Sequence, residues 1–250
     1  TENPKTIVVD YSSPNIAKQM HVGHLRSTII GDCIARLHEF EGHNVIRQNH
    51  IGDWGTQFGM LIAYLRELYR DKINNPNSVS IKDLEQFYQN AKSWCDNDAI
   101  FAEYARLEVV HLHNKNPDTM VVWAIFVNET RKHYLPIYET LNIQLKPEDE
   151  RGESFYADKL ADIIKKLKEK SIAEESEGAV CIFPEGFTNK EGNRLPFIIQ
   201  KSDGAFLYAT TDLAALYFRV HELKANKIIY VTDFRQTQHF KMLFASVKMA

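Results

Sequence analysis

Cysteine is scarce in this 250-residue chain, and the three present, Cys33, Cys95 and Cys181, are odd in number and far apart. That argues against a disulfide framework and supplies no zinc-ligand spacing, so no metal site is expected and a reducing compartment is. Long apolar runs are missing too: no stretch of about 18 apolar residues occurs, and the opening TENPKT is no charged and apolar leader. Basic charge is not in excess. Thirty Lys and Arg against 33 Asp and Glu leave a net charge of −3, so composition alone provides no positive field for nucleic acid. These absences point to a cytoplasmic protein that does not enter a membrane. What is present, 44% hydrophobic and 25% charged residues, suffices for one large core or a core with an inserted subdomain. The last segment, TQHFKMLFASVKMA, is a helical pattern with no terminating Gly or Pro, so the chain is expected to be part of a longer protein.

Periodicity organises the chain into two α/β halves. An apolar, β-branched stretch from Thr6 to Tyr11 (TIVVDY), a helix from Leu25 to Glu41 ending at Gly42, and a strand from Asn44 to His50 predict a right-handed βαβ unit with a parallel sheet. IGDWGTQFG, residues 51–59, is a glycine-bearing loop leading into a helix from about Met60 to Asp71. Residues 72–80 are polar and turn-rich. Helical periodicity then runs over Leu84 to Trp94, Ala99 to Asn114 and Asp118 to Leu141. AVCIFP and PFIIQ flanking TNKEGN predict a β-hairpin. A short strand at Phe206 to Ala209, a helix from Asp212 to Leu223, a buried strand at Lys227 to Val231 and a helix from Gln236 onward predict a second βαβ unit. The expected organisation is therefore a first half at 1–71, an insertion at 72–203 and a second half at 204–250. Ligands of such sheets bind beyond the carboxyl ends of the strands, where strand order reverses.

One of those strand ends carries His21-Val22-Gly23-His24 at a helix start. Unpaired N–H groups and the positive end of the dipole favour an anion there. Gly23 lets a flat ring or a phosphate approach the backbone, and two imidazoles can donate hydrogen bonds. Lys18 can add a mobile point charge, or be a solvated surface lysine. The same spacing also admits a pair of capping histidines or half of a metal site, although no Glu follows the first His as in HExxH.

The other strand ends hold two acids, Asp10 and Asp212, the amphipathic ring of Tyr208, and two neutral amides, Asn15 and Gln236. Paired carboxylates beside an aromatic face suit a guanidinium, which takes bidentate hydrogen bonds and stacks on rings. Amides can hold an α-amino or carboxylate group without adding charge. Taken singly, Asp212 also reads as a helix N-cap and Asp10 as a solvated strand end.

SSPNIAKQMHVGHLRSTIIGD, residues 12–32, closely resembles the first signature region of the arginyl-tRNA synthetases, class I enzymes whose HIGH motif here reads His21-Val22-Gly23-His24. HIGDWGTQFG, YATTDLAALYFR and VTDFRQTQHF are similar to successive blocks of that family in the same order. Four letters are a weak pattern, but four ordered blocks are specific; the resemblance is weakest between about residues 72 and 150.

The resemblance implies a Rossmann-like catalytic domain with a helical and β-hairpin insertion, which activates L-arginine with ATP and transfers it to tRNA(Arg). By this similarity Ser13, Pro14 and Asn15 lie along the arginine site, Asn15 and Gln236 near the α-amino group, and Asp10, Tyr208 and Asp212 receive the guanidinium. His21, Gly23 and His24 match the ATP cradle, His24 where adenosine and arginine meet, and Lys18 a phosphate lysine. His21, His24 and Lys18 would then support in-line attack of the arginine carboxylate on the α-phosphorus, with Mg2+ carried by phosphates and water. The second class I signature, a KMSKS-type loop, is not in these residues. Another class I synthetase or nucleotidyltransferase, and a non-catalytic tRNA-binding relative, remain the rival readings.

Overall fold

The computed structural model describes residues 1–70 and 79–250, and the chain divides into two compact units. Unit 1 comprises Thr1–Tyr11, Cys33–Gln48 and Glu153–Ala250; unit 2 comprises Ser12–Asp32 and Asn49–Gly152. These divisions differ from boundaries at 71 and 203, the first of which abuts residues outside those described. The long helices of the expected insertion belong with the loop that carries His21 and His24. Its β-rich end belongs with the parallel sheet.

Unit 1 is built on three parallel strands in the order β2 (Asn44–Gln48), β1 (Thr6–Asp10), β6 (Lys227–Tyr230). Val8 of the central strand stands opposite Ile46 on one side and Ile228 on the other. β1 is apolar because it is covered on both faces: Ile7, Val8 and Val9 are at most 1% exposed. Each such side chain contributes about 1.5–3 kcal/mol by leaving water. Helix α1 (Val22–Phe40) connects β1 to β2, its last turns from Cys33 lying in unit 1. It begins at Val22, three residues before the expected start, because His24 and Leu25 donate their amides to the carbonyl of His21.

The remainder of unit 1 departs from expectation at one element and adds a strand at another. Phe206 to Ala209 is not a strand: helix α8 (Tyr208–His221) already starts at Tyr208, where the Thr210 amide donates to the Leu207 carbonyl. Only Phe206 keeps a single bridge, to Gln200. The expected hairpin forms, β4 (Ala179–Ile182) pairing antiparallel with β5 (Phe197–Gln200), and an unexpected third strand, β3 (Ala173–Ser176), pairs with the other edge of β4. The turn from β3 to β4 is Glu177-Gly178, both with positive φ. TNKEGN caps the longer β4 to β5 excursion, where Thr188 bridges Arg194. Helix α7 (Leu160–Glu169), α8 and α9 (Thr237–Met249) close the core around Ile182, Ile199, Leu213, Ala214 and Leu243; α6 (Glu153–Tyr156) adds Tyr156.

Unit 2 is helical. α2 (Gln57–Leu68), α3 (Leu84–Asn97), α4 (Ala99–His113) and α5 (Pro117–Thr140) follow the sequence periodicity within a few residues, and Asp83, Asp98 and Asn116 cap the last three. Phe58, Leu61, Leu65, Leu84, Leu112, Val122 and Phe126 form its core. The class is therefore mixed α/β, as expected. Among the described residues no helix is long and apolar enough to cross a membrane.

Candidate active-site residues

The residues singled out from the sequence fall into two groups, one in each unit. In unit 2 the chain leaves the strand through Ser12 and Ser13, both at positive φ (71° and 49°), a strained path for non-glycine residues. Three polar side chains hold it there. The Asn49 side-chain oxygen accepts from the Ser13 amide at 2.9 Å, and its nitrogen donates to the Tyr138 hydroxyl at 3.2 Å. The Tyr138 and Ser12 hydroxyls share a hydrogen bond of 2.5 Å, and Thr28 donates to Ser12 at 2.8 Å. Burial pushes the Tyr138 phenol up to about 12, while Ser12 and Asn49 pull it back, so it stays a neutral hydroxyl. Asn49 and Tyr138 escaped the sequence reading. Tyr138 lies 126 residues from Ser12, and no local pattern announces it.

Beyond this brace, buried Pro14 accepts the Gly52 amide and exposed Asn15 lies against Gly52. A Cβ on Gly52 would stand 2.2 Å from the Asn15 side-chain oxygen, which explains one glycine of the GDWG loop. Trp54 of that loop stacks on His113 and meets Trp123 edge-on, a supporting position in the helical core. Exposed Lys18 has its ammonium 5.3 Å from the Tyr88 ring centre.

The two imidazoles are folded back on their own helix start. His21 Nδ1 accepts from the Gly23 amide at 3.1 Å, and His24 Nδ1 accepts from the His21 amide at 3.3 Å. In each neutral ring the proton therefore sits on Nε2, a donor. The rings lie 4.0 Å apart. A Cβ on Gly23 would meet the His21 ring at 2.9 Å, so the flat ring this glycine admits is His21 itself. The expectation of free helix amides is thereby corrected: the Gly23 amide is taken by an imidazole, and the hydrogen-bond donors offered to an anion are Nε2–H groups. Burial first, then His21 and Lys18, lowers the His24 pKa below its ordinary 6.5 and keeps the ring neutral near pH 7. Imidazoles and an ammonium make a donor set for anionic oxygens. It does not fit a protein-held magnesium ion, which wants oxygen ligands.

In unit 1 Asp10 is neither a solvated strand end nor open to an outside cation. It is 5% exposed, and the fully buried Arg219 of α8 donates to it at 2.5 Å. Arg219 also donates to Gln48 at 2.5 Å and lies 4.9 Å over the Tyr230 ring. Burial, the largest influence, would lower the Arg219 pKa, but Asp10, Tyr230 and Tyr156 together outweigh it and the guanidinium stays charged. The guanidinium that Asp10 was expected to receive is thus one of the chain's own, tying β1, β2, β6 and α8 together.

Asp212 differs. It sits inside α8, one turn after Tyr208 and on the same face, so it is not an N-cap. Its carboxylate accepts from His239 of α9 at 2.6 Å. Tyr208 is 62% exposed and its ring lies 4.8 Å from that of His239. Gln236 is exposed in a 3-10 turn immediately before α9. Tyr230 senses both acids: burial raises its phenol, Arg219 opposes, and Asp10 and Asp212 raise it further. Arg219 and His239 were missed although both stand in the quoted blocks. Helical spacing of three from Gln236 was the available signal for His239.

One trio in unit 1 has ligand spacing for a cation: His38, Glu41 and His43 at the end of α1. The Lys5 amide donates to His43 Nδ1, which leaves the proton on Nε2, and His38 is hydrogen-bonded to Glu41 at 2.7 Å. This is a hydrogen-bonded turn at a helix end.

Residues 1–250 match the family of tRNA synthetases class I (R), catalytic domain. The arginine–tRNA ligase of Nostoc punctiforme is 53% identical over 249 residues, 100% of this chain and 42% of that protein. The same enzyme of a Picosynechococcus strain is 52% identical over the same share. The crystal structure of arginyl-tRNA synthetase from Plasmodium falciparum superposes with a TM-score of 0.85 at 38% identity, covering 99% of this chain and 41% of that one. A Thermus thermophilus arginyl-tRNA synthetase, at 21% identity and TM-score 0.71, shares the fold. The chain spans about two-fifths of the length of these relatives.

Proposed function

Because the chain belongs to the class I (R) tRNA synthetase catalytic domains, we propose that the protein it comes from activates L-arginine with ATP and transfers it to tRNA(Arg). The reading is supported above all by the coexistence of a carboxylate beside an aromatic face, Asp212 with Tyr208, and of two imidazoles locked as Nε2–H donors. Asp212 is the acid that receives the substrate guanidinium, with Tyr208 stacking against it. Asp10 acts at one remove, through Arg219. In unit 1 Gln236 is assigned to the α-amino end of arginine by its family block; in unit 2 Asn15 is assigned to that end, and Ser13 and Pro14 to the arginine path, by theirs.

His21, His24 and Lys18 meet the phosphates, and Gly23 lets the His21 ring turn back. The reaction is attack of the arginine carboxylate on the α-phosphorus with release of pyrophosphate. It needs no covalent nucleophile. His24 donates from Nε2 to charge growing on a phosphate oxygen while Lys18 neutralises it, and positioning supplies the rest. Magnesium would enter on the phosphates of ATP, and no step is assigned to it.

ATP–pyrophosphate exchange by the full-length protein, with tRNA(Arg) present, tests the reading. Exchange should require arginine and fail with lysine. Exchange driven by another amino acid, or none with arginine, overturns it.

A further inference from the structure

His239 touches two residues of the guanidinium site without belonging to it. It lies in the first turn of α9, its side chain 13% exposed, and its Nε2 stands 2.6 Å from Asp212 Oδ2. A carboxylate only accepts, so in the neutral ring the proton is on Nε2. Three aromatic rings fix the imidazole plane: Tyr208 of α8 at 4.8 Å, Phe197 of β5 at 5.5 Å and Phe240 at 5.2 Å. The ring has little freedom, and through its hydrogen bond neither has the carboxylate.

That restraint matters for a planar cation. A guanidinium fork reads the orientation of a carboxylate, because both of its N–H bonds must lie along oxygen lone pairs. An ammonium is a compact point charge that any rotamer satisfies. We propose that His239 is a positioning residue that holds Asp212 in the orientation a guanidinium requires, and so favours arginine over lysine. The proposal rests on the reading of Asp212 as the substrate acid.

His239→Phe keeps a stacked ring and deletes the donor; His239→Gln places an amide N–H near the position of Nε2. In the full-length protein with tRNA present, His239→Phe should raise KM for arginine about tenfold, as expected for a lost hydrogen bond to a charged group. KM for ATP should stay within about twofold and His239→Gln should recover most of the loss, since only the donor is restored. Unchanged arginine KM in His239→Phe, or parallel rises for arginine and ATP, overturns the proposal. Imidazole 15N shifts of His239 in the substrate-free protein test the contact itself: the Nε2–H tautomer supports it, and the Nδ1–H tautomer overturns it whatever the substrate. A wild-type protein that ignores arginine would instead overturn the function assigned to Asp212, with the 15N result still deciding the contact.

Discussion

The two candidate groups manage charge in opposite ways. Unit 1 keeps its acids under internal control, with Arg219 on Asp10 and His239 on Asp212. Unit 2 offers donors instead: burial first, then His21 and Lys18, lowers the His24 pKa and keeps that ring neutral. A buried carboxylate costs several kcal/mol unless paired, so the acid side must be built from long-range partners. The phosphate proposed for the donor side would bring its own charge, so that side can rest on local hydrogen bonds that fix tautomers. The acids are therefore held by tertiary pairs, and the two imidazoles by neighbours in sequence.

The sharpest way to break this contrast is to unpair the buried acid. Arg219→Met should destabilise folding by about 3–5 kcal/mol, because Asp10 would be left charged in the core. Urea unfolding measures it, and a loss below about 1 kcal/mol would mean that Asp10 is solvated. On the donor side, His24→Ala should slow adenylate formation about a hundredfold, the worth of one lost transition-state donor. Single-turnover kinetics at saturating substrates would show it, and an unchanged rate returns His24 to a capping role. Asp212→Asn should weaken arginine binding by roughly 2 kcal/mol while leaving ATP binding alone. Equal losses for both ligands would erase the distinction between the groups.

Smaller effects sharpen it. Tyr138→Phe removes one hydroxyl from the brace on Ser12 and should cost about 1 kcal/mol of stability, read as a shift in the urea midpoint. The smallest effect is a pH slope. With the folded His24 pKa below 6.5, the unfolded chain takes up its proton first as the solution is acidified. Stability from this group is full above 6.5 and is lost as pH falls through the lowered folded value. His24→Asn should flatten that acid-side slope, and an unaltered slope would place the titration elsewhere.

What could be read along the chain was whatever repeats or punctuates locally. β-Branched TIVVD became the central strand, 3.6-residue periodicity located α3, α4 and α5, and the family likeness rests on four blocks in order. Phe206 to Ala209 misled because a short apolar run fits a strand or a helix start equally well, and the Leu207–Thr210 contacts chose the helix. The amide pairing of the HVGH stretch was half legible: its place at a helix start could be read, but not that the rings turn inward.

Linear order thus settled the class, most element types and the residue types available for chemistry, since period and motif are properties of neighbours. Folding alone chose which distant polar groups meet. Arg219 reaches Asp10 across 209 residues and Tyr138 reaches Ser12 across 126, distances at which no periodicity persists. Desolvation makes such pairings obligatory without saying who the partners are; packing of strands and helices names them.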